Sequence, residues 1–472
     1  MAPSLTFRLD RSARDTLTEQ IRKGIVAAIE SGSLAPGARL PSWLDLAAQL
    51  GVARGTVKAA YERLADDQIV VTSRAGGTRV SDHAAKALST KPPAEPDPPP
   101  ALYQEFFSGP AIFQMGVPAS DHFPVPLFAR LRANAARAEV AEPAVYPDPR
   151  GTFELRQSIA AHLRIARGLE CHPSQVFVTT GYAGALAFAL RVLRMDGRTA
   201  WMEDPGFFQG RMALELAGMS LVPMRVDEDG LDVAQAIARA PDAALALVTP
   251  GQHAPLGGTL ALARRVQLIE WATRAQAWVF EDDYLGELQL KRRAAPALAS
   301  LDRAGRVIHI GSFSKTISPA LRLGFLVVPA AVAPRFAEAA MAFAPAPGPA
   351  VQTAVAGFMR EGHYLRHLRR MKRLYAARSD ALMAALRARG HAVQAGGLAV
   401  LLRLPDGTDD AAICREAQAF GLAPVPLSAW YDPTGARDSG LLLGVATTDE
   451  ARLDAACDRL SRVIERFRWA DA

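Results

Sequence analysis

Along the first eighty residues, apolar positions recur at helical spacing and then switch to alternation. In TLTEQIRKGIVAAIESG, the residues Leu17, Ile21, Ile25, Val26 and Ile29 fall on one helical face, and Gly32 stops the run. LPSWLDLAAQLGV predicts a second helix, with Ser42 as N-cap and Gly51 closing it. ARGTVKAAYERLADDQ predicts a third, with Val57, Tyr61 and Leu64 facing inward. IVVTSRAGGTRVS then alternates as two short strands around Ala75-Gly76-Gly77, a hairpin signal.

Further on, short apolar strands alternate with helix-length segments. The candidate strands are QVFVTT, RTAWMED, SLVPMRV, ALALVTP, AWVFEDD, RVIHIGS and LGFLVVP. Such spacing predicts parallel pairing through crossovers, hence an α/β sheet. From about residue 390 a smaller α+β unit follows, with strands LAVLLRL and LLLGVA, a helix near 409–420 and a final helix over 448–468.

Between the two patterns lies KPPAEPDPPP, residues 91–100. Its prolines forbid regular helix and favour an extended chain, the signature of an interdomain linker. The expected plan is therefore a helical unit over 1–82, a linker over 83–108, a large α/β domain over 109–390 and a small α+β subdomain over 391–472.

Composition narrows the class. Of 472 residues, half are hydrophobic and 22% charged, ordinary for a soluble protein with large cores. Fifty-four basic against 48 acidic residues is a mild excess, compatible with nucleic-acid binding without demanding it. Three widely spaced cysteines argue against a disulfide framework or a zinc cluster and suit a reducing cytoplasm. The N-terminus lacks a signal-peptide core, and no apolar run is long enough to span a membrane.

The helix–helix–wing order of the first unit is the layout of a winged helix-turn-helix, whose third helix enters the major groove by its N-terminal end. That end carries Arg54, Thr56 and Lys58, suited to phosphate oxygens and purine acceptors, and the wing adds Arg74 and Arg79. The expected partner is double-stranded operator DNA.

The strongest chemical signal in the large domain is GSFSKTISPALRLG, residues 311–324. A lysine after a strand, with Ser312 and Ser314 before it and Arg322 after it, fits a pocket for pyridoxal 5'-phosphate (PLP). Lys315 can form a Schiff base with the aldehyde, while the hydroxyls and guanidinium satisfy the phosphate. In FEDDYLGE, Asp282 is the candidate acid for the pyridine nitrogen, and Tyr284 can hydrogen-bond the ring hydroxyl. The Asp282–Asp283 pair could instead serve a metal, but no histidine lies near in sequence, and no metal site is expected. VTTGYAGALAF leads from strand to helix at Gly181, placing Tyr182 and Ala183 in a first turn suited to phosphate. Phe207 of EDPGFF is a candidate for stacking on the cofactor ring, and Tyr146 of YPDPRG for reaching the phosphate of a neighbouring subunit.

SGSLAPGARLPSWLDLAAQLGVARGTVKAAYERL, with the wing AGGTRVS, resembles the GntR-type winged helix. Trp43 and Leu44 stand where that family has a Ser and a basic residue, and Ala53 replaces the usual Ser. From Phe113 to Arg466 the chain resembles a fold-type-I aminotransferase. The two together resemble the MocR/GabR subfamily of bacterial regulators. The resemblance implies a head-to-tail homodimer that holds PLP and senses a small amine or amino-acid-like effector, or PLP itself.

Two departures favour a sensor over an enzyme. Ala254 stands where such aminotransferases carry an Asn toward the ring hydroxyl, and Leu442 where they carry the Arg that clamps the substrate carboxylate. The alternatives are an aminotransferase with an accessory DNA-binding domain, or PLP held for stability alone. Trp430 and Tyr431 are candidates for the pocket entrance.

Overall fold

The computed structural model describes residues 7–13, 15–73, 77–82, 111–141, 143, 145–290, 294–448 and 450–468. Two compact units, Met1–Gln104 and Glu105–Ala472, divide the chain. The proline-rich segment assigned as a linker, 83–108, lies outside the described residues, as does Arg74.

In the first unit α1 (Leu17–Glu30), α2 (Trp43–Leu50) and α3 (Arg54–Asp66) precede the antiparallel pair β1 (Val70–Ser73) and β2 (Gly77–Val80). Their apolar faces meet in one core. Ile21, Ile25 and Ile29 of α1 pack with Leu46, Val57, Tyr61, Leu64, Val70 and Val80. The Thr16 side chain caps α1 by accepting from the Glu19 N–H. Ser42 does the same for Asp45 at α2, and Gly51 ends α2 in the left-handed conformation, which costs a glycine little. The Tyr61 hydroxyl donates to the Pro41 carbonyl at 2.9 Å, tying α3 to the entry of α2.

The second unit is built on a sheet of eight strands in the order β3-β10-β9-β8-β7-β4-β5-β6. They are β3 (Val176–Thr179), β4 (Thr199–Asp204), β5 (Ser220–Asp227), β6 (Gly230–Leu231), β7 (Leu245–Val248), β8 (Trp278–Asp283), β9 (Val307–Ser312) and β10 (Gly324–Val327). Helices α4 (Val125–Ala141), α5 (Phe153–Arg167), α6 (Gly181–Leu193), α7 (Phe208–Leu216), α8 (Val233–Arg239), α9 (Leu262–Arg274), α10 (Ala333–Phe343) and α11 (Pro349–Arg360) belong to this part. The 26-residue α12 (His363–Ala388) follows. It leads to a four-stranded antiparallel sheet of β11 (Val393–Ala395), β12 (Ala399–Arg403), β13 (Val425–Pro426) and β14 (Gly440–Gly444), with α13 (Asp410–Gln418) and α14 (Glu450–Arg468).

Parallel pairing holds for β5, β4, β7, β8 and β9, as the spacing predicts. It fails for β10, which runs antiparallel to both β9 and β3. Only a short loop with one 3-10 turn joins β9 to β10, and a parallel return needs a longer crossover. That loop carries Lys315. Apart from β6 and β10, the strands of this sheet point the same way, so their C-terminal ends gather along one edge, where ligands bind in such folds.

One segment sits differently from the sequence plan. Ile112 bridges Leu422, and the Gly444 N–H donates to the Phe113 carbonyl at 2.7 Å, so the start of the second unit joins the small sheet. Among the described residues no helix is long and apolar enough to cross a membrane.

Candidate functional site

The sheet edge collects most of the residues singled out by motif. Lys315 follows β9, and its Nζ donates to the Gly116 carbonyl at 2.7 Å. Burial lowers its pKa to about 8, against the opposing pull of Asp282. Asp282, at the end of β8, is itself buried. Burial first, then the charges of Asp283 and Glu203, hold its carboxyl well above the usual range, while Lys315 and His309 act the other way. A buried acid reluctant to ionise and a lysine that readily loses its proton form a donor–acceptor set awaiting a basic, carbonyl-bearing ligand.

Three glycines build the opposite wall. A side chain on Gly324 would meet the Gly181 backbone and the Gly311 carbonyl, each at 2.9 Å. Gly181 has φ of +85° and opens α6, whose first N–H groups have no partner within the helix. The Arg322 guanidinium lies 4.0 Å from where a Gly181 Cβ would stand. Ser312 Oγ accepts from the Ser314 N–H at 3.2 Å, holding both hydroxyls in the same loop. A positive helix end, two hydroxyls and a guanidinium are donors of the kind a phosphate cradle needs. Ala183 is exposed in the first turn of α6.

Tyr182 and Phe207 lie with ring centres 5.7 Å apart, and Phe207 lies 5.7 Å from Trp430. The buried Tyr182 hydroxyl has no hydrogen bond of normal geometry. An orphaned phenol beside a raised acid is the mark of a polar group waiting for a ligand. The Tyr284 phenol is raised by burial, then by Asp282. Donor set, cradle and orphaned hydroxyl together fit PLP. Tyr146 is fully exposed.

Behind this wall lies a tier of buried charge whose pairings no sequence motif announced. Glu203, at the end of β4, accepts from the Thr249 hydroxyl at 2.6 Å and from its N–H, yet burial raises it to about 7. His253 lies 3.7 Å from Glu203, and burial lowers it to about 4, so it is neutral at neutral pH. On the other side of β8, Arg167 of α5 pairs with Asp283 at 2.7 Å, and His309 lies 3.1 Å from Glu281 and 3.7 Å from Asp283. Glu281 also accepts from the Leu298 and Ala299 N–H groups, and its pKa is pulled down to about 2. A cavity of about 10 Å³ with Asp283, Glu287, His162 and Ser312 in its lining adjoins this network. Among the described residues, no group of three His, Cys, Asp or Glu is placed to hold a metal ion.

Ala254 and Leu442 lie in one apolar cluster with Leu401, Leu427 and Trp430, against which Phe207, Tyr284 and Tyr431 pack. The Trp430–Tyr431 loop is fastened down. Arg211 donates to both carbonyls, at 3.1 and 2.6 Å, and the Asp432 N–H donates to Asp204 at 2.7 Å.

In the first unit, Arg54 and Lys58 are exposed on the N-terminal half of α3, with Thr56 half-buried between them. Lys58 makes only a loose exposed pair with Glu62, 3.6 Å. Arg79 is exposed on β2, and its guanidinium donates to the Gly37 carbonyl at 3.0 Å. Arg39, which the pattern did not suggest, lies against Gly77 at the start of β2. Trp43 and Leu44 are exposed, and Ala53 provides no side-chain cap for α3.

The fold and site define a winged-helix DNA-binding unit joined to an aminotransferase-type unit. Residues 17–80 match the bacterial regulatory proteins of the gntR family, and residues 116–460 match class I and II aminotransferases. The chain is 32% identical to the probable rhizopine catabolism regulatory protein MocR of Rhizobium meliloti, over 93% of this chain and 92% of that one. It is 32% identical to the pyridoxine biosynthesis regulator PdxR of Corynebacterium glutamicum, again over 93% and 92%. The regulator TauR of Rhodobacter capsulatus is 30% identical over 98% and 99%. Among solved structures, the α-aminoadipate aminotransferase LysN of Thermus thermophilus superposes with a TM-score of 0.70 at 25% identity, over 78% of this chain and 95% of that one. This chain belongs to the MocR/GabR-type branch of the GntR regulators.

Proposed function

We propose that the protein is a PLP-dependent transcriptional regulator that binds operator DNA through residues 17–80 and converts arrival of an amine at Lys315 into altered DNA binding. It acts in the cytoplasm as a homodimer. Bound PLP supplies an aldehyde that takes up primary amines and a ring that withdraws electrons.

The chain's own residues do the rest. Lys315, near pKa 8, is neutral often enough to attack a carbonyl. Asp282 would hold a proton against the ring nitrogen, and Tyr284 would hydrogen-bond the ring hydroxyl. Ser312, Ser314, Arg322 and the first turn of α6 would hold the phosphate, Phe207 would pack on the ring, and Tyr146 of the partner subunit would complete the cradle.

The observation that favours sensing over turnover is the cluster around Leu442. An aminotransferase positions its substrate through a polar clamp, and here that wall is Ala254, Leu401, Leu427, Trp430 and Leu442. A ligand with an amine and a body that tolerates an apolar wall suits the pocket better than a simple α-amino acid.

Absorbance and DNA binding measured on one sample test this. The holoprotein absorbs in the visible and Lys315→Ala does not. A screen of amines finds compounds that shift the band and change affinity for the DNA upstream of the gene, while Lys315→Ala binds that DNA but ignores the amine. Rapid multiple turnover with an amino donor and a 2-oxo acid overturns the reading in favour of an enzyme.

A further inference from the structure

Helix α12 has two contrasting faces. Tyr364, His367, Leu368, Met371 and Tyr375 are buried on one side. Opposite them Arg366, Arg369, Arg370 and Arg373 are all exposed, spaced i, i+3, i+4 and i+7 as one helical stripe. From His363 to Ser379 the helix contains no Asp or Glu.

Among the described residues none of the four arginines has a carboxylate within ion-pair distance. Arg366 donates to His363 at 2.7 Å and to the Glu361 carbonyl at 3.3 Å, and Arg370 to His122 at 3.0 Å; the Glu361 and Asp121 carboxylates reach those imidazoles, at 3.1 and 3.6 Å, and not the guanidiniums. Single exposed arginines occur elsewhere in this unit, some of them paired, as Arg466 is with Glu416, and the half-buried Arg389 pairs with Asp454 and Asp458; what marks α12 is four on one face. Four like charges at i+3 and i+4 spacing repel one another, so this stripe opposes its own helix unless an external polyanion neutralises it.

The polyanion of suitable form is the one the chain already binds. The stripe runs about 10 Å along the helix and would face on the order of six charges of a duplex, whose axis carries one about every 1.7 Å. Guanidinium groups match phosphate oxygens bidentately. We propose that the exposed face of α12 is a second DNA-binding surface, independent of base sequence, which takes backbone phosphates of the duplex while α3 reads bases.

Salt dependence of binding by the full-length holoprotein tests it, using fluorescence anisotropy with a duplex from upstream of the gene. Removing one arginine–phosphate pair lowers the slope of log affinity against log salt by about 0.9. The quadruple substitution Arg366→Gln, Arg369→Gln, Arg370→Gln and Arg373→Gln is expected to reduce the slope by about two to four and low-salt affinity at least about tenfold. The same positions changed to Lys keep most of the slope. Preference for the upstream duplex over a scrambled one persists in the Gln variant and falls in Arg54→Ala, which separates this surface from base reading. Because repulsion is relieved, the Gln variant melts no lower than wild type. An unchanged slope overturns the proposal. So does a Lys variant as impaired as the Gln variant, a change of oligomeric state on sedimentation, or loss of binding to phosphatidylserine vesicles alone.

Discussion

The cofactor pocket and the winged helix both depend on charge, and they handle it in opposite ways. At the sheet edge Asp282, Glu203, Glu281, Asp283, Arg167 and His309 are all buried. Each is matched to a neighbour or pushed far from its ordinary ionisation. On α3, Arg54 and Lys58 stand in water, and Lys58 has a loose partner in Glu62. Buried charge is strong at short range and indifferent to salt, which suits a small ligand held at fixed geometry. Exposed charge is cheap to display and is felt by any polyanion, with salt setting its strength.

The widest gap between the regions should appear on adding salt. Raising potassium chloride from about 50 to 200 mM is expected to weaken DNA binding by about a thousandfold if six or more phosphates are contacted. Amine-induced absorbance changes at Lys315 should move less than twofold. Equal salt sensitivity of the two would erase the contrast.

Next comes the buried pair. Arg167→Met strips the guanidinium from the buried Asp283, leaving it only the more distant His309 at 3.7 Å, and should cost about 3–5 kcal/mol in denaturant unfolding. Lys58→Met, which breaks the exposed pair with Glu62, should cost under about 0.5 kcal/mol.

The pH response sharpens the contrast further. Glu203 is raised to about 7 in the folded chain, so its contribution to stability is full below about 4.5 and lost as pH rises through 7. Glu203→Gln keeps an acceptor for Thr249 and should flatten stability between pH 5 and 8, measured as urea midpoints. Lys315 bears on a rate: uptake of PLP by the apoprotein should climb with pH and level off above about 8. A rate that is flat from pH 6 to 9 contradicts the lowered lysine.

The smallest change belongs to the exposed region. Ala53→Ser supplies the missing cap of α3 and should stabilise the first unit by about 1 kcal/mol in thermal unfolding. No gain would mean that the N–H groups of that turn are satisfied without it.

These regions also differed in how far the sequence revealed them. Periodicity located all three helices of the first unit and its caps at Ser42 and Gly51, because caps and amphipathic faces are local properties. The Lys315 loop was legible for a similar reason: its amine, hydroxyls and guanidinium lie within eleven residues of one another. What stayed hidden depends on distant partners. Arg167 meets Asp283 across 116 residues, and Glu203 meets Thr249 across 46. No local pattern marks such pairs. Nor does any local pattern show that Arg79 of the wing reaches the Gly37 carbonyl, 42 residues away. The reversal of β10 was readable in principle, since the Lys315 loop is too short for a crossover, but strand spacing alone suggested otherwise.

The close approach of Gly181, Gly311 and Gly324 carries a consequence for how such a protein can diversify. Any side chain at Gly324 collides with main chain, which cannot swing aside, so this corner is closed to gradual substitution. The wall of Leu401, Leu427, Trp430 and Leu442 has no such lock: its members are side chains that can be exchanged for others of similar volume. A lineage of these proteins can therefore change the ligand to which it responds through single mutations on one side of the pocket. The other side stays frozen, and the same cofactor is inherited unchanged.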